Sequence, residues 1–369
     1  MGSEILSFPK LGLEFSLNRT AFSIGSLSIQ WYGIIIGIGF FLGVAYAIRR
    51  SRSFGIHPDR FLDLTIAGLI GGIIGARAYF VIFHWDLYKN NPIDVFNLRE
   101  GGLAFYGGLI GAVLFVWPIA KWRKVRLLPT LDITGLGFLI GQGIGRWGNF
   151  VNIEAFGSNT NLPWGMTGPS IVQYLTRQRT ELASMGVNID PNMPVHPCFL
   201  YESIWCLLGF VLLHFYSKKR KFDGEVFIMY LGWNGLGRFF IEGMRTDSLL
   251  LGKMRISQIL AVLFVVAAIV LIIVIRSKIK RDDSPDFMPL YVTTEESKVL
   301  LAKIDEEIAD SRAKKSNKSA RIIQEEISPI KEKEENAGKA PEELSEKTEA
   351  PEETPLEDAE ETDAEEGKE

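Results

Sequence analysis

The chain has 369 residues, 47% of them hydrophobic, including 24 Phe and 8 Trp, enough apolar material for one large core. Its charge is divided: residues 1–281 hold 28 Lys and Arg against 16 Asp and Glu, and residues 282–369 hold 12 against 28, so a body of +12 precedes a tail of −16 and the two give the net −4. The body's apolar residues lie in long uncharged blocks instead of short periodic stripes, which excludes an ordinary cytosolic enzyme.

Taken in chain order, residues 20–48 form the first block, 29 residues without Asp, Glu, Lys or Arg. That suffices for a helix across about 30 Å of hydrocarbon. Ala45-Tyr46-Ala47 mimics a signal-peptidase site, but the run is about twice the apolar length of a cleaved signal, so it is read as a span that stays in the membrane. Further spans are expected at 61–83, 104–120, 131–144, 199–216 and 226–241, each with at most two charged residues, and at 256–275. Basic residues then set the orientation, because translocating Lys and Arg in short loops is disfavoured. Arg49, Arg50, Arg52 and Arg60 follow span one, and Lys121, Arg123, Lys124 and Arg126 follow span three. Lys218, Lys219, Arg220 and Lys221 follow span five, and Arg276, Lys278, Lys280 and Arg281 follow span seven. The alternate loops are poorer in basic residues. The expected fold is an all-α integral membrane protein with seven transmembrane helices, the N-terminus outside, the C-terminus inside, and a small extracytoplasmic insert at about 150–198. Residues 282–369 have too much charge and too few aromatics to offset chain entropy and are expected as a disordered acidic tail in the cytoplasm, with 295–327 its only plausible helical part.

This orientation converts intramembrane polar residues into depths. Tyr32, Arg77, Tyr106, Arg146, Asn149, Glu202, Arg238 and Glu242 all fall near the outer face. Charged groups in a bilayer cost several kcal/mol (about 2.5–3.5 at mid-membrane) unless a partner or polar cavity receives them, so their gathering at one depth points to a site. Snorkelling anchors would explain arginines at that depth, but not the carboxylates and carboxamide beside them. Residues 141–157, GQGIGRWGNFVNIEAFG, concentrate glycines with Arg146, Asn149, Asn152 and Glu154. Gly143, Gly145 and Gly148 match a dinucleotide fingerprint only formally, since that motif needs a soluble strand before it. Gly137, Gly141 and Gly145, like Gly68, Gly71, Gly72 and Gly75, suit close helix contact. Arg offers a planar fork of donors for phosphate.

The stretch GRWGNFVNIEAFG resembles, at every defined position, the G-R-x-G-N-F-x-N-x-E-x-x-G signature of the bacterial phosphatidylglycerol–prolipoprotein diacylglyceryl transferases. IQWYG (29–33), GARAYFVIF (75–83), GGLAFYGGLIG (101–111), LPWGM (162–166), HPCFLYE (196–202) and GRFFIEGMR (237–245) are similar to further blocks of that family in the same order. The resemblance covers about residues 25–280 and leaves out the acidic tail. It implies transfer of the diacylglyceryl group of phosphatidylglycerol to the thiol of a lipobox cysteine in a prolipoprotein signal peptide, with release of glycerol phosphate, in the bacterial cytoplasmic membrane. It implies no metal, no cofactor and no nucleic-acid partner. It also carries the signature roles onto Arg146, Asn149, Glu154 and Gly157, the second family arginine onto Arg238, and the first-span tyrosine onto Tyr32. One position departs: Tyr106 stands where many members have histidine.

A cysteine thiol of pKa about 8.5 needs a base or a positive environment to attack. Arg146 and Arg238 suit the phosphate leaving group, whose negative charge grows as the carbon–oxygen bond breaks. The proton acceptor stays open among Tyr106, a carboxylate that Tyr106 orients (Glu154 or Glu202), and the phosphate oxygen itself. Tyr106→His is expected to keep activity if that position accepts the proton. His196 is divided between capping span five and touching substrate, and Glu242 and Arg245 are expected to support Arg238. The four histidines are scattered without ligand spacing. An anion or anionic-lipid transporter is the alternative, weakened by the absence of an internal repeat. A scaffold acting through the acidic tail is a third reading, which predicts that loss of 282–369 removes function where a transferase keeps it.

Overall fold

The computed structural model describes residues 3–25, 27–98, 101–184, 187–246, 250–251, 254–282, 284 and 287–314. Contacts divide the chain into a unit of residues 1–306 and a second of 307–369, whose described part, 307–314, is helical.

The first unit opens with two antiparallel hairpins, β1 (Glu4–Phe8) with β2 (Leu13–Leu17) and β3 (Thr20–Ile24) with β4 (Leu27–Gln30). This corrects the first span, which the uncharged run had begun at Thr20. Helix α1 starts at Trp31 and runs to Ser51. Absence of charge is not helicity: in β4 Ser28 and Gln30 alternate with Leu27 and Ile29 at strand spacing, and Gly25 turns the hairpin with φ of +59°.

Helices α2 (Pro58–Phe83), α3 (Phe105–Trp122), α4 (Leu127–Asn152), α6 (Cys198–Tyr216) and α8 (Ile256–Arg281) join α1 as the six long and apolar enough to cross a membrane. A further helix, α7 (Glu225–Met244), has 20 residues but carries Asn234, Arg238 and Glu242. The chain is an all-α membrane protein with small hairpins. Helix α4 is longer at both ends than the expected 131–144, because Arg146 and Asn149 lie inside its last turns.

Glycines decide which helices meet. A Cβ on Gly43 of α1 would lie 2.6 Å from the Gly137 carbonyl oxygen of α4, and one on Gly71 of α2 would lie 2.6 Å from the Gly111 carbonyl of α3. Backbones at that separation allow only glycine, so the small-residue pattern is a pairing code, α1 with α4 and α2 with α3. Helices α6 and α7 meet through Trp205 and Trp233, stacked at 4.3 Å between centroids. Each indole N–H donates to the other residue's backbone carbonyl at 3.0 Å.

At the site end, where α4 finishes and α6 begins, residues 153–197 form the insert with α5 (Pro169–Ser184). Leu6, Phe8, Ile153, Phe156, Met166, Ile171, Leu175, Val195 and Phe199 share one core there. Strand β1 docks on the insert: Ser7 and Thr167 exchange backbone hydrogen bonds at 2.8 and 2.9 Å, and the Ser170 N–H, at the start of α5, donates to the Glu4 carboxylate at 2.6 Å. At the opposite, basic end, buried Asp132 of α4 caps α7 by accepting from the Gly224 and Phe227 amides at 2.8 and 2.9 Å. The fully buried Glu225 carboxylate receives Arg276 at 2.6 Å.

Part of the presumed tail is folded. In the first unit residues 291–293 make a 3-10 turn and residues 295–306 are helical, within the stretch 295–327 expected as the tail's only plausible helical part. Tyr291, Ser297 and Ile304 are 3%, 0% and 7% exposed within the first unit, which corrects the expectation of disorder from residue 282 onward. The physical reason is that single apolar side chains within the acidic stretch, Tyr291 and Ile304, are buried within the first unit, which net charge alone made improbable. Residues 315–369, which carry the rest of the expected tail and the helical expectation for 315–327, lie outside the described residues.

Candidate functional site

Three arginines and two carboxylates were expected at one depth, and the tertiary structure sorts them and adds Arg245. Glu202, in the second turn of α6 and 8% exposed, is the centre. Its Oε2 receives Arg146 of α4 at 2.5 Å and faces Arg238 of α7 at 3.8 Å, and its Oε1 faces Arg245 at 3.6 Å. Arg238 also pairs, through Nε, with Glu242 one turn along α7 at 3.3 Å. Among the described residues three guanidinium groups therefore meet Glu202 and Glu242 in one cluster. Charge-assisted donors gathered from different helices suit an anion. The side chains of Arg146 and Arg238 remain 25% and 44% exposed, so their forks are presented, not consumed.

A second, linked constellation follows α4. Arg146 Nη1 donates to the Asn149 side-chain oxygen at 3.5 Å, Asn149 Nδ2 donates to Glu154 Oε1 at 2.8 Å, and Asn152 Nδ2 reaches the same oxygen at 3.4 Å. Glu154 is brought back over the helix end because Ile153 adopts φ 54° and ψ 55° and Ala155 has φ 57°. Left-handed backbone at a β-branched residue is strained by about 1–3 kcal/mol and is retained where the surroundings over-determine it. Here Ile153 is buried in the insert core.

Tyr32 joins the same region: its ring lies against Gly148, where a Cβ would sit 2.8 Å from Cδ2. Gly157 is a joint. Its amide donates to the His196 carbonyl at 2.9 Å, while a Cβ there would strike the His196 Cβ at 2.8 Å and Cys198 Sγ at 2.9 Å. Ser158 N–H meets the Met244 carbonyl at 2.8 Å, so Gly157 ties the signature loop to both α6 and α7. His196 does not cap α6, whose N-cap residue is Pro197 without a side-chain cap. Its Nδ1 instead pairs with the Tyr201 hydroxyl at 3.1 Å, to which Trp164 Nε1 also donates at 2.7 Å. Burial pushes the His196 imidazole below its ordinary value, which favours the neutral ring.

Two expected members stand apart. Arg77 spends its guanidinium on five backbone carbonyls, those of Asp94, Val95, Asn97, Gly101 and Gly102, at 2.7–3.1 Å. It is the clamp of the loop between α2 and α3. Tyr106 is 61% exposed at the start of α3, in edge contact with Phe105. Among the described residues no hydrogen bond links it to Arg146, Arg238, Glu154 or Glu202. No group of three or more metal-ligating side chains occurs among the described residues.

The arrangement can hold a monoanionic headgroup between α4 and α7 and strengthen that hold as its charge grows. Comparison with known proteins agrees with this chemistry. The family model described as prolipoprotein diacylglyceryl transferase matches residues 19–274. The phosphatidylglycerol–prolipoprotein diacylglyceryl transferase of Finegoldia magna is 40% identical over 268 residues, 72% of this chain and 99% of the relative. Those of Clostridioides difficile and Bacillus mycoides are 38% identical over 270 residues and 42% over 266, covering 73% and 72% of this chain and 100% and 95% of the relatives. With that much of the chain matched, and the arginines of the matched region converging on one buried carboxylate, the protein belongs to the prolipoprotein diacylglyceryl transferase family.

Proposed function

We propose that the chain transfers the diacylglyceryl group of phosphatidylglycerol to the lipobox cysteine thiol of prolipoproteins, the first step of lipoprotein maturation, in the bacterial cytoplasmic membrane. In this reading α7 is the seventh span, the site end faces outside with the insert at 150–198 above it, and the basic end and the remainder of the acidic tail face the cytoplasm. The four clusters of four basic residues between and after the spans support that orientation.

The reaction balances without a co-reactant. The cysteine sulfur attacks the glyceryl carbon that bears the phosphate, a carbon–sulfur bond forms, and the carbon–oxygen bond breaks with its electron pair going to the phosphate. Glycerol phosphate leaves with one more negative charge than the diester carried, and the thiol gives up its proton. Arg146 and Arg238 bind the diester and gain most as that charge develops, which is differential binding of the transition state. Glu202 keeps the two guanidinium groups together before the lipid arrives and prevents their mutual repulsion. Glu154, an exposed carboxylate oriented by Asn149 and Asn152, is better disposed to accept the proton than Glu202, whose oxygens face three arginines. The exposed Tyr106 and Tyr32 line the approach of the substrate.

The observation that carries this reading is the convergence of Arg146 and Arg238, from different helices, on one buried carboxylate while both stay partly exposed. The test is incubation of the purified protein with phosphatidylglycerol and a lipobox peptide, followed by mass spectrometry. A diacylglyceryl adduct on the cysteine is expected. An unmodified peptide beside lipid translocation in vesicles would favour an anionic-lipid transporter instead.

A further inference from the structure

The family match ends at residue 274, and the segment beyond it folds back on the basic end. Its contacts are specific. Arg52, just beyond α1, grips the Asp305 carboxylate with both Nη atoms at 2.9 and 2.6 Å. His57, which is 4% exposed and caps α2 by accepting the Asp59 amide at its Nδ1, turns Nε2 toward Asp305 Oδ1 at 3.3 Å. Because Nδ1 is the acceptor, Nε2 carries the proton and donates it. Arg126, the N-cap residue of α4, pairs with Glu296 at 2.6 Å and lies over the Tyr291 ring at 5.2 Å. Asp223, directly before the N-cap of α7, accepts the Tyr291 amide at 2.7 Å. Ser297 donates to the Gly55 carbonyl at 3.1 Å. Gly55 has φ of +80°, and a Cβ there would lie 2.9 Å from Val292 Cα, so this glycine is also the seat of the segment.

The helices so joined include three of the four that carry the site, α6 with Glu202 being the fourth. Arg52, Arg126 and Asp223 stand at the basic ends of α1, α4 and α7, whose other ends present Tyr32, Arg146 with Asn149, and Arg238 with Glu242. Arg126 and Arg146 are twenty residues apart on one helix, about 30 Å at the α-helical rise. The exposed ion pairs are individually weak. The buried Tyr291 and Ser297 make the contact a folded interface instead of a loose electrostatic one.

We propose that residues 287–305 are an intramolecular clasp that sets the relative placement of α1, α4 and α7 and thereby the spacing of Arg146 and Arg238 at the far end. Tyr291 and Asp305 are positioning residues in this scheme, acting through helix ends and touching no substrate. The proposal rests on the transferase reading for its activity readout, and a second readout is independent of it.

In the purified full-length chain, Ser297→Cys places a thiol at a fully buried point of the clasp, with the buried Cys198 and Cys206 as background. Labelling by a polar maleimide reports clasp opening, and transfer to a lipobox peptide reports the site, both well below the thermal midpoint of every variant. In that background Tyr291→Ala and Asp305→Lys are expected to label faster and to transfer about three- to tenfold more slowly, the scale of coupling carried through packed elements. Adding Arg52→Glu to Asp305→Lys reverses the ion pair without the His57 hydrogen bond and is expected to restore part of the slow labelling and of the rate. Faster labelling at an unchanged transfer rate would overturn the proposal, since the clasp would then only stabilise. So would slow transfer without faster labelling, or failure of the reversed pair to rescue. If the unmodified chain labels slowly yet transfers nothing to the peptide, the transferase reading falls, and the coupling falls with it.

Discussion

Arg146 and Arg238 look equivalent in the sequence, each an arginine followed by an aromatic residue near a helix end, yet their surroundings assign different duties. Arg146 is the shorter contact to Glu202 and the origin of the Asn149–Glu154 chain, so in the proposed reaction Arg146→Ala removes a fork for the phosphate and unties the carboxylate proposed to take the proton. Product is expected to fall by about 10²–10³-fold or more, the usual loss for a transition-state charge contact, with the protein still folded by thermal shift. Arg238 is more exposed and keeps its partner Glu242 on the same helix. Arg238→Lys, which replaces a fork with a point charge, is expected to lower the rate by about tenfold. A wild-type rate from either variant, measured in the peptide assay, would remove that arginine from the site. Glu202→Gln makes a sharper point, because it removes the buried carboxylate that Arg146, Arg238 and Arg245 share. Loss of a buried partner typically costs about 3–5 kcal/mol, and the thermal midpoint should drop unless phosphatidylglycerol is added to supply the missing negative charge. A midpoint indifferent to lipid would refute the view that headgroup and carboxylate share those guanidinium groups.

Among the elements, pairing is governed by glycine and by the reciprocal Trp205 and Trp233 contact. The α1–α4 seam matters most for function, since it positions Tyr32 against Gly148. Gly43→Leu would force apart backbones that leave no room for a Cβ, and overpacking of this kind typically costs about 1–3 kcal/mol. Both stability and transfer should fall together, whereas Gly37→Ala, at a position with no neighbour within 4 Å of the added Cβ, should change neither; thermal shift and the peptide assay separate the two. The hairpins show what uncharged length leaves out: lack of charge extends the first span by eleven residues, although Ser28 and Gln30, alternating with Leu27 and Ile29, carry strand periodicity. Helix α4 was misread in the opposite sense, because its polar last turns look like a loop until Glu202 and Glu154 are seen to receive them.

For the molecule as a whole, the folded segment at 287–305 changes what truncation should do. From the charge balance alone, removal of 282–369 leaves a transferase intact. With the clasp in view, removal of 315–369 is expected to leave transfer unchanged, and removal of 282–369 to lower it with a reduced thermal midpoint; equal behaviour of the two truncations would contradict the clasp. Acid should weaken the same contact. The Arg52 and His57 hydrogen bonds hold the Asp305 carboxyl down to about 2, below its ordinary value, so its contribution is fully present above about pH 4 and is lost as pH falls through about 2. Because both partners are exposed, that contribution is also expected to fade in high salt, which labelling of the Ser297→Cys chain would register.

Hydropathy and loop charge are properties of position along the chain, and they suffice for the membrane class and for the depth of Arg146, Glu202 and Arg238. The signature at 145–157 likewise needs no coordinates, since its residues are neighbours in sequence. Depth is one coordinate, however, and a site needs three. Which side of its helix each polar residue occupies, and which helix stands opposite, follow from glycine seams and indole contacts between different segments of the chain, such as Gly43 with Gly137 and Trp205 with Trp233. That is why Arg77, at the right depth, turned out to clamp a loop, why Tyr106 stands away from the arginines, and why Glu202 emerged as the shared partner of three of them. The clasp is legible in the sequence only in its helical stretch, which begins at 295. Its seat consists of Gly55, His57, Arg126 and Asp223 from three separate loops, a surface that comes into being only once the helices are packed.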